Sequence, residues 1–326
     1  MSMTNVLAGD VGGTTTRLGL FDVSSTRPRA LTIRALRTLD FPDLAVMISS
    51  FLDSEASGAS SIGSACFGVA GPVAGDVADL TNVPWRVDAN RVAKTFGLPR
   101  VSLLNDLEAM AYSLPVLLDS EVRVLQAGRP VSKGSIAVIA AGTGLGQAVL
   151  NCVDGRYRAQ AAEAGHADFA ARTDRDVTLL RDLTRRRGRA SVEDVISGPG
   201  LTNIYRAIHG GGCSANVDVQ SPSASEAISS AALNGACKGC AEVLELFVDA
   251  YGAESGNLAL RAVAVGGVFI GGGIAPKILP ALETGRFMEA FRAKAPFEKM
   301  LAAMPVKVIL NSDAGLLGAA NFCSLI

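Results

Sequence analysis

The sequence predicts a two-domain α/β protein, and three observations carry that prediction. The chain has 326 residues, enough for about two domains at ~100–200 residues each. Apolar runs of strand length alternate with segments of helical period along nearly all of it. One plan also occurs twice: "VLAGDVGGTTTRLGLF" from residue 6 and "IAVIAAGTGLGQAVLN" from residue 136 each set a turn rich in Gly and Thr between two apolar strands.

In chain order, residues 6–10 and 15–22 read as strands around the first glycine turn, and "ALTIRALRTL" continues the pattern. "FPDLAVMISSFLDSEA" has helical period, and "IGSACFGVAGPVAGDVADLTNVPW" reads as strand, turn, strand. "DANRVAKTFGL" is a helix with Asp88 as its N-cap, and "RVSLLND" is a strand that ends on two polar residues. "LEAMAYSLPVLL" is a helix broken near Pro115. The second glycine turn then restarts the series. A helical portion follows over 174–260, interrupted by "HGGGCSANVD". "VGGVFIGGGIAPKILPAL" is strand, glycine turn and helix; "VKVILN" is a late strand and "AGLLGAANFC" a closing helix.

Composition narrows the function classes. Thirty basic residues against 31 acidic ones give a net charge of -1, so neither nucleic acid nor an anionic membrane surface is an expected partner. The one basic run, "TRRRGRA" at 184–190, reads as a solvated helix end. No apolar stretch reaches the ~18 residues of a membrane span, and the start lacks the pattern of a signal peptide. Six unevenly spaced cysteines make no disulfide framework, so a reducing cytoplasm is expected. Cys237 and Cys240 form one CxxC; with only two histidines in the chain, the pair reads as helix packing rather than half of a zinc site.

Several glycines in a strand region mark a place where a ligand or another backbone comes close. Turns whose N–H groups point outward bind anions, and only glycine lets a phosphate that near. The two matching turns, with "GGVFIGGG" as a third, therefore point to a phosphate chain, although each turn alone also suits an ordinary tight hairpin. "GTGLGQ" is not a dinucleotide fingerprint, because a strand and not a helix follows it, and no P-loop is present. The first turn is taken as Gly9 to Thr14, and Asp10 sits within it. A carboxylate next to phosphates needs a cation between them, which argues for Mg²⁺ held through water; capping of the turn is the plainer alternative.

Asn105–Asp106 ends a strand, where open α/β sheets gather ligands, and a carboxylate there can take the proton of an attacking hydroxyl. The same pair with Glu108 also fits a helix cap. Glu163 and His166 stand three apart in "EAGH"; carboxylate and imidazole suit adjacent sugar hydroxyls, while a buried structural histidine is the alternative. Glu193 in "SVED" also reads as a first helical turn capped by Ser191.

"GDVGGTTTRLGLF", "LTNVPW", "LLNDLEAMAYSLP", "AAGTGLGQA", "EAGHADF", "SGPGLTNIYRAI" and "GGVFIGGGIAPK" occur in the order and spacing of bacterial glucokinases. From about residue 6 to about 320 the chain resembles the proteobacterial type of that family, within the actin-like, sugar-kinase and Hsp70 ATPase superfamily. It lacks the CxCGxxGC cluster of the related ROK sugar kinases. Thr15 stands where Asn is frequent, and Ala164 replaces a Gly of the family pattern. The resemblance implies a ribonuclease H-like fold with a central cleft, a small domain over 1–110 plus 312–326, and a large domain over 111–311. It implies ATP-dependent phosphorylation of glucose at the 6-hydroxyl, with other hexoses or a non-catalytic sugar sensor as alternatives, and a homodimer. Asp106 becomes the catalytic base. Asn105, Asp106, Glu163, His166 and Glu193 become sugar contacts. Gly9, Asp10, Val11, Gly12, Gly13, Thr14, Gly142, Thr143, Gly144, Gly272 and Gly273 become the nucleotide site, with Asp10 on Mg²⁺ through water, and "SGPG" at 197–200 becomes part of the nucleoside wall.

Overall fold

Strands buried on both faces form the centre of each half of this protein. The computed structural model describes residues 5–54, 62–81 and 83–325. Asn82 of "LTNVPW", residues 1–4 and 326 of the expected small domain, and the end of the helix expected over 41–56 lie outside the described residues.

The first part of the chain runs β1 (Asn5–Val11), β2 (Thr15–Asp22), β3 (Arg29–Arg37), α1 (Leu44–Asp53), β4 (Ile62–Val69), β5 (Val73–Ala74), β6 (Val77–Asp79), β7 (Arg86–Asp88), α2 (Ala89–Phe96), β8 (Val101–Asn105) and α3 (Asp106–Ser113). Its main sheet is ordered β3-β2-β1-β4-β8, and β5-β6-β7 make a small antiparallel sheet. β1 runs antiparallel to β2 and parallel to β4, which runs parallel to β8. Asp88 caps α2 as expected, accepting from the N–H groups of Asn90 and Arg91, and Gly97 ends it in the left-handed region. Leu7, Phe51, Phe67 and Trp85 belong to the core beneath this sheet.

The second part runs β9 (Val122–Gln126), β10 (Ile136–Ala141), β11 (Leu145–Val153), β12 (Arg156–Ala162), α4 (Asp174–Arg187), α5 (Gly198–Ile208), α6 (Ala224–Leu233), α7 (Lys238–Ala262), β13 (Gly267–Gly271), α8 (Leu279–Leu282), α9 (Arg286–Arg292), α10 (Glu298–Ala303) and β14 (Val306–Ile309). The sheet order is β12-β11-β10-β13-β14-β9. Every residue of β10 and β13 is buried, as continuous apolar runs in parallel strands require. α7 is 25 residues long and apolar on most sides, so it runs through the core. Gly252 and Gly256 on α7 let α9 pass at backbone distance: a Cβ there would stand 2.2 Å from the Phe287 carbonyl oxygen and 2.4 Å from that of Phe291. The basic run 184–190 ends α4 at a left-handed Gly188, with Arg185 and Arg186 paired to Asp182 and Arg187 to Asp194.

α11 (Ala314–Leu325) closes the chain and packs on α3, β1 and β4. The chain divides into two compact units, 1–118 with 157–161 and 311–326, and 119–156 with 162–310. The boundary expected at 110 is corrected to 118, because residue 110 lies inside α3 and that helix is held to α11 as one piece. The five central residues of β12 also group with the first unit, an excursion that no sequence signal marked. Among the described residues no helix is long and apolar enough to cross a membrane.

The α3–α11 contact depends on Gly318, where a Cβ would lie 1.7 Å from the Ala109 carbonyl oxygen. Gly318→Ala is expected to lower unfolding free energy by about 1–3 kcal/mol, the cost of overpacking a tight contact. Chemical denaturation checks this; an unchanged midpoint would mean that α11 is free to shift.

Candidate active site

In the first unit the parallel strands β1, β4 and β8 bring their carboxyl ends to one edge. Asp10 stands opposite Gly68, and Val69 opposite Asn105. Gly68 lets the first turn of α3 come down on the sheet: a Cβ there would meet Ala109 Cβ at 2.7 Å and Asp106 Cα at 3.7 Å. Asn105 is the N-cap of α3, with its side chain accepting from the Leu107 N–H at 2.9 Å and Glu108 completing a capping box. Asp106 is the first helical residue, half-buried, with Oδ1 accepting from the Leu107 N–H at 2.8 Å. The expected cap is present: Asn105 does the capping, and Asp106 is the first residue of the capped helix.

The first glycine turn is shorter than expected. Gly9, Asp10 and Val11 belong to β1, and the turn itself is Gly12, Gly13 and Thr14. The inference that these glycines are bare for a ligand is corrected at three of them. A Cβ on Gly9 would meet Phe67 Cδ1 at 2.4 Å, one on Gly12 the Thr15 carbonyl oxygen at 2.8 Å, and one on Gly19 the Phe21 ring at 2.8 Å. Their lost side chains make room for the protein itself. Thr38, unmarked by any sequence signal, ties the turn down: its hydroxyl donates to the Gly12 carbonyl at 2.7 Å and its N–H to the Thr14 carbonyl at 3.0 Å.

Asp10 is held in a low-dielectric place. Burial pushes its carboxyl above the usual carboxylate range; nearby Arg17 pulls it down and the Asp313 carboxylate pushes it up. Arg17 is itself paired to Asp313 at 3.3 Å.

In the second unit the turn Gly142–Thr143–Gly144 joins β10 to β11, beside the turn that follows β13. Glu193 braces it, accepting from the Leu145 N–H at 2.8 Å, while a Cβ on Gly144 would fall 2.7 Å from Glu193 Oε2. Glu193 is in a turn and not a helix; Ser191 pairs with Asp194 instead of starting one. The Glu193 N–H donates to the Gly165 carbonyl, which fastens "EAGH" to the same corner. "EAGH" forms a single 3-10 turn, and Glu163 and His166 are exposed, with His166 Nε2 4.0 Å from Glu163 Oε2. The alternative of a buried structural histidine is thereby removed.

A cavity of about 680 Å³ opens next to the second turn. Gly142, Thr143, Gly198, Pro199 and Gly273 line one part of it, and Arg206, Ser225 and Lys277 another. Gly142 and Gly273 have nothing within 4 Å of where a Cβ would stand, so these are the glycines whose bareness a ligand could use. Gly272 does not line the cavity; it has φ +82°, and a Cβ would meet the Ala141 carbonyl oxygen at 2.3 Å, so it is a glycine of turn geometry. Ser197 caps α5 through the Gly200 N–H, which turns the "SGPG" backbone toward the cavity. The α6 side of the cavity, including Ser225 and Ser229, carried no motif and was missed. So were His209 and Cys213: Cys237 and Cys240 pack in the core at the start of α7 as expected, and the fold also brings His209 and Cys213 to them.

A family model described as glucokinase matches residues 7–325. The glucokinase of Nostoc sp. is 39% identical over 341 aligned residues, covering 98% of each chain. That of Synechocystis sp. is 37% identical over 343, covering 97% of each. Among solved structures, a glucokinase from an Antarctic psychrotroph superimposes with a TM-score of 0.86 at 30% identity, covering 98% of both chains.

The electrostatics of Asp10 make a prediction. A carboxyl whose folded pKa is raised takes up a proton on folding. Its ionisation therefore costs stability progressively as pH rises from the unfolded value through the folded one, so the cost is larger at pH 7 than at pH 3. Asp10→Asn is expected to raise unfolding free energy at pH 7 by about 0.5–2 kcal/mol, the usual gain when a strained functional group is replaced, and to leave stability near pH 3 little changed. Thermal unfolding at both pH values checks this; destabilisation at pH 7 would place Asp10 among the structural residues.

Proposed function

The chain belongs to the glucokinase family, it is an ATP-dependent glucose kinase, and from that premise we propose how its residues divide the work. The two units are the halves of a ribonuclease H-like kinase. Asp106 takes the proton of the glucose 6-hydroxyl as that oxygen attacks the γ-phosphorus of ATP. The observation that carries this is the placement of Asp106 on a capped helix start, at the carboxyl edge where β1 also delivers Asp10.

Phosphoryl transfer asks little covalent chemistry of a protein and much positioning. The cavity beside Gly142 and Gly273 is large enough for a nucleotide and has backbone and small side chains along one wall, so it is assigned to ATP. Arg206 and Lys277 add positive charge there, although Lys277 is partly neutralised by an ion pair with Glu226. The turns Gly12–Thr14 and Gly142–Gly144 are assigned to the phosphates. Gly9 and Val11 contribute only through the strand that carries the first of them.

Asp10 fits a magnesium ion held through water: its carboxylate is half-buried and pressed by a second carboxylate, Asp313, a charge arrangement that a cation relieves. When bound, magnesium neutralises the negative charge of the phosphates during transfer. Asn105, whose amide is engaged with Leu107 and the Gly71 carbonyl, orients Asp106 and offers one further N–H to the sugar. Glu163 and His166 are exposed polar groups suited to vicinal hydroxyls, and Glu193 serves chiefly by holding the turn beside them. A homodimer remains part of the proposal. A reducing cytoplasm stays part of the proposal, on the uneven cysteine spacing of the sequence.

Asp106→Asn tests the base. The amide keeps the local hydrogen bond to Leu107 but lacks basicity, so turnover with glucose and Mg·ATP is expected to fall about 10²–10⁴-fold. The unfolding temperature is expected to stay at the wild-type value. Turnover within a few-fold of wild type would leave Asp106 a structural residue.

Glu163→Gln tests the sugar contact. Hydrogen bonds to a charged group contribute roughly 1.5–3 kcal/mol, so KM for glucose is expected to rise about tenfold or more while KM for ATP holds. An equal change in both constants would put Glu163 at the nucleotide instead. A panel of hexoses run on the same preparations checks the choice of sugar.

A further inference from the structure

We propose that His209, Cys213, Cys237 and Cys240 form a structural zinc site in the second unit. Their ligand atoms all lie within 4.8 Å of one another. His209 Nε2 is 3.3 Å from Cys237 Sγ, and the sulfurs of Cys213 and Cys240 are 3.8 Å apart. Zinc–sulfur bonds of about 2.3 Å at tetrahedral angles put sulfurs about 3.8 Å apart, so the four atoms already stand close to the spacing that a single ion imposes. The sequence spacing agrees: H-x3-C over 209–213 and C-x2-C over 237–240 are lengths that let each pair grip one ion.

Three features of the surroundings favour a built site over chance proximity. Cys237 caps α7 and Cys240 lies in its first turn, and both are buried, so two thiols are fixed on a rigid element. The His209 imidazole stacks on Tyr205 with ring centroids 4.1 Å apart, which holds Nε2 toward the sulfurs. Gly239, between the two helix cysteines, has no side chain for a specific reason: a Cβ there would lie 2.6 Å from His209 Nε2 and 2.5 Å from its Cδ2. Three sulfurs and one imidazole are a donor set for a borderline-soft, four-coordinate ion, and four protein ligands leave no open position for catalysis. Binding releases the thiol protons, so the fully loaded site carries three thiolates, one neutral imidazole and Zn²⁺. The α7 N-terminus helps accept the net negative charge.

The ion would join the end of α5, the loop 209–223 and the start of α7. That loop leads into Ser221 and Pro222, which line the cavity assigned above to ATP. This last link rests on the proposed function; the metal site does not.

The test is elemental analysis of the full-length protein, purified under reducing conditions without a metal-affinity tag. About one zinc per chain is expected for a single four-ligand site. Cys213→Ser and Cys237→Ser are each expected to lose it. Wild-type protein isolated folded and reduced without zinc would overturn the proposal, as would serine variants that keep their zinc. Should those variants not fold, wild-type protein produced on cobalt decides. Intense thiolate-to-cobalt charge transfer with tetrahedral visible bands supports the site, and a spectrum without them overturns it. Gly239→Ala is a milder probe, expected to weaken zinc retention against a chelator by displacing His209; retention equal to wild type would count against His209 as a ligand. In zinc-stripped protein KM for ATP is expected to rise more than kcat falls. Zinc present with that constant unmoved would leave the metal site standing and remove the cavity from the nucleotide site.

Discussion

Strands covered on both faces leave this chain only one kind of place for polar chemistry, the edge where parallel strands end. β10 and β13 are buried along their whole length, and β1 and β4 nearly so. A charged side chain in such a strand would carry a large desolvation cost. The polar groups therefore collect at carboxyl ends: Asp10 near the end of β1, Asn105 and Asp106 at the end of β8, and the bare turns after β10 and β13. Connections at these ends also start helices, which explains why the proposed base is the first residue of α3.

Asp10 is the exception that strains this arrangement, because it is an acid one residue short of the strand's end. It is kept where burial opposes its ionisation and Asp313 adds to the cost, with only Arg17 in compensation. A residue that made no use of its charge would be expected to be asparagine or an apolar side chain there. The local cost is consistent with a carboxylate whose partner is a cation brought in with the substrate.

Apart from left-handed turn and cap glycines such as Gly97 and Gly188, the glycines divide into two populations that look alike in the sequence. Most are bare because the protein comes close: Gly68 under α3, Gly252 and Gly256 under α9, Gly318 under Ala109, Gly239 under His209. Gly142 and Gly273 face open space beside the cavity. The first population lets backbones approach until helix and sheet form one rigid support. The second leaves room at the edge that the support presents. A glycine-rich string is thus evidence for a ligand only after its packing demands have been counted.

The sequence by itself determined what depends on neighbours a few residues apart. Strand alternation, the Asp88 cap, the Asn105–Glu108 capping box, the turn at Gly142 and a helix end within the basic run 184–190 were all legible, because hydrogen-bond rings and periodicities close within one or two turns of chain. The order of the motifs also carried the family. Tertiary structure alone decided which distant segments meet. Glu193 braces Leu145 across 48 positions, Thr38 ties a turn 26 positions before it, and His209 reaches Cys237 across 28. It also moved the boundary of the first unit past α3, since α3 is held by a helix from the far end of the chain. Such contacts leave no local pattern, because chain path and packing set them; the sequence lists the residues, and only the fold says that two cysteines read as core have a histidine and a third sulfur beside them.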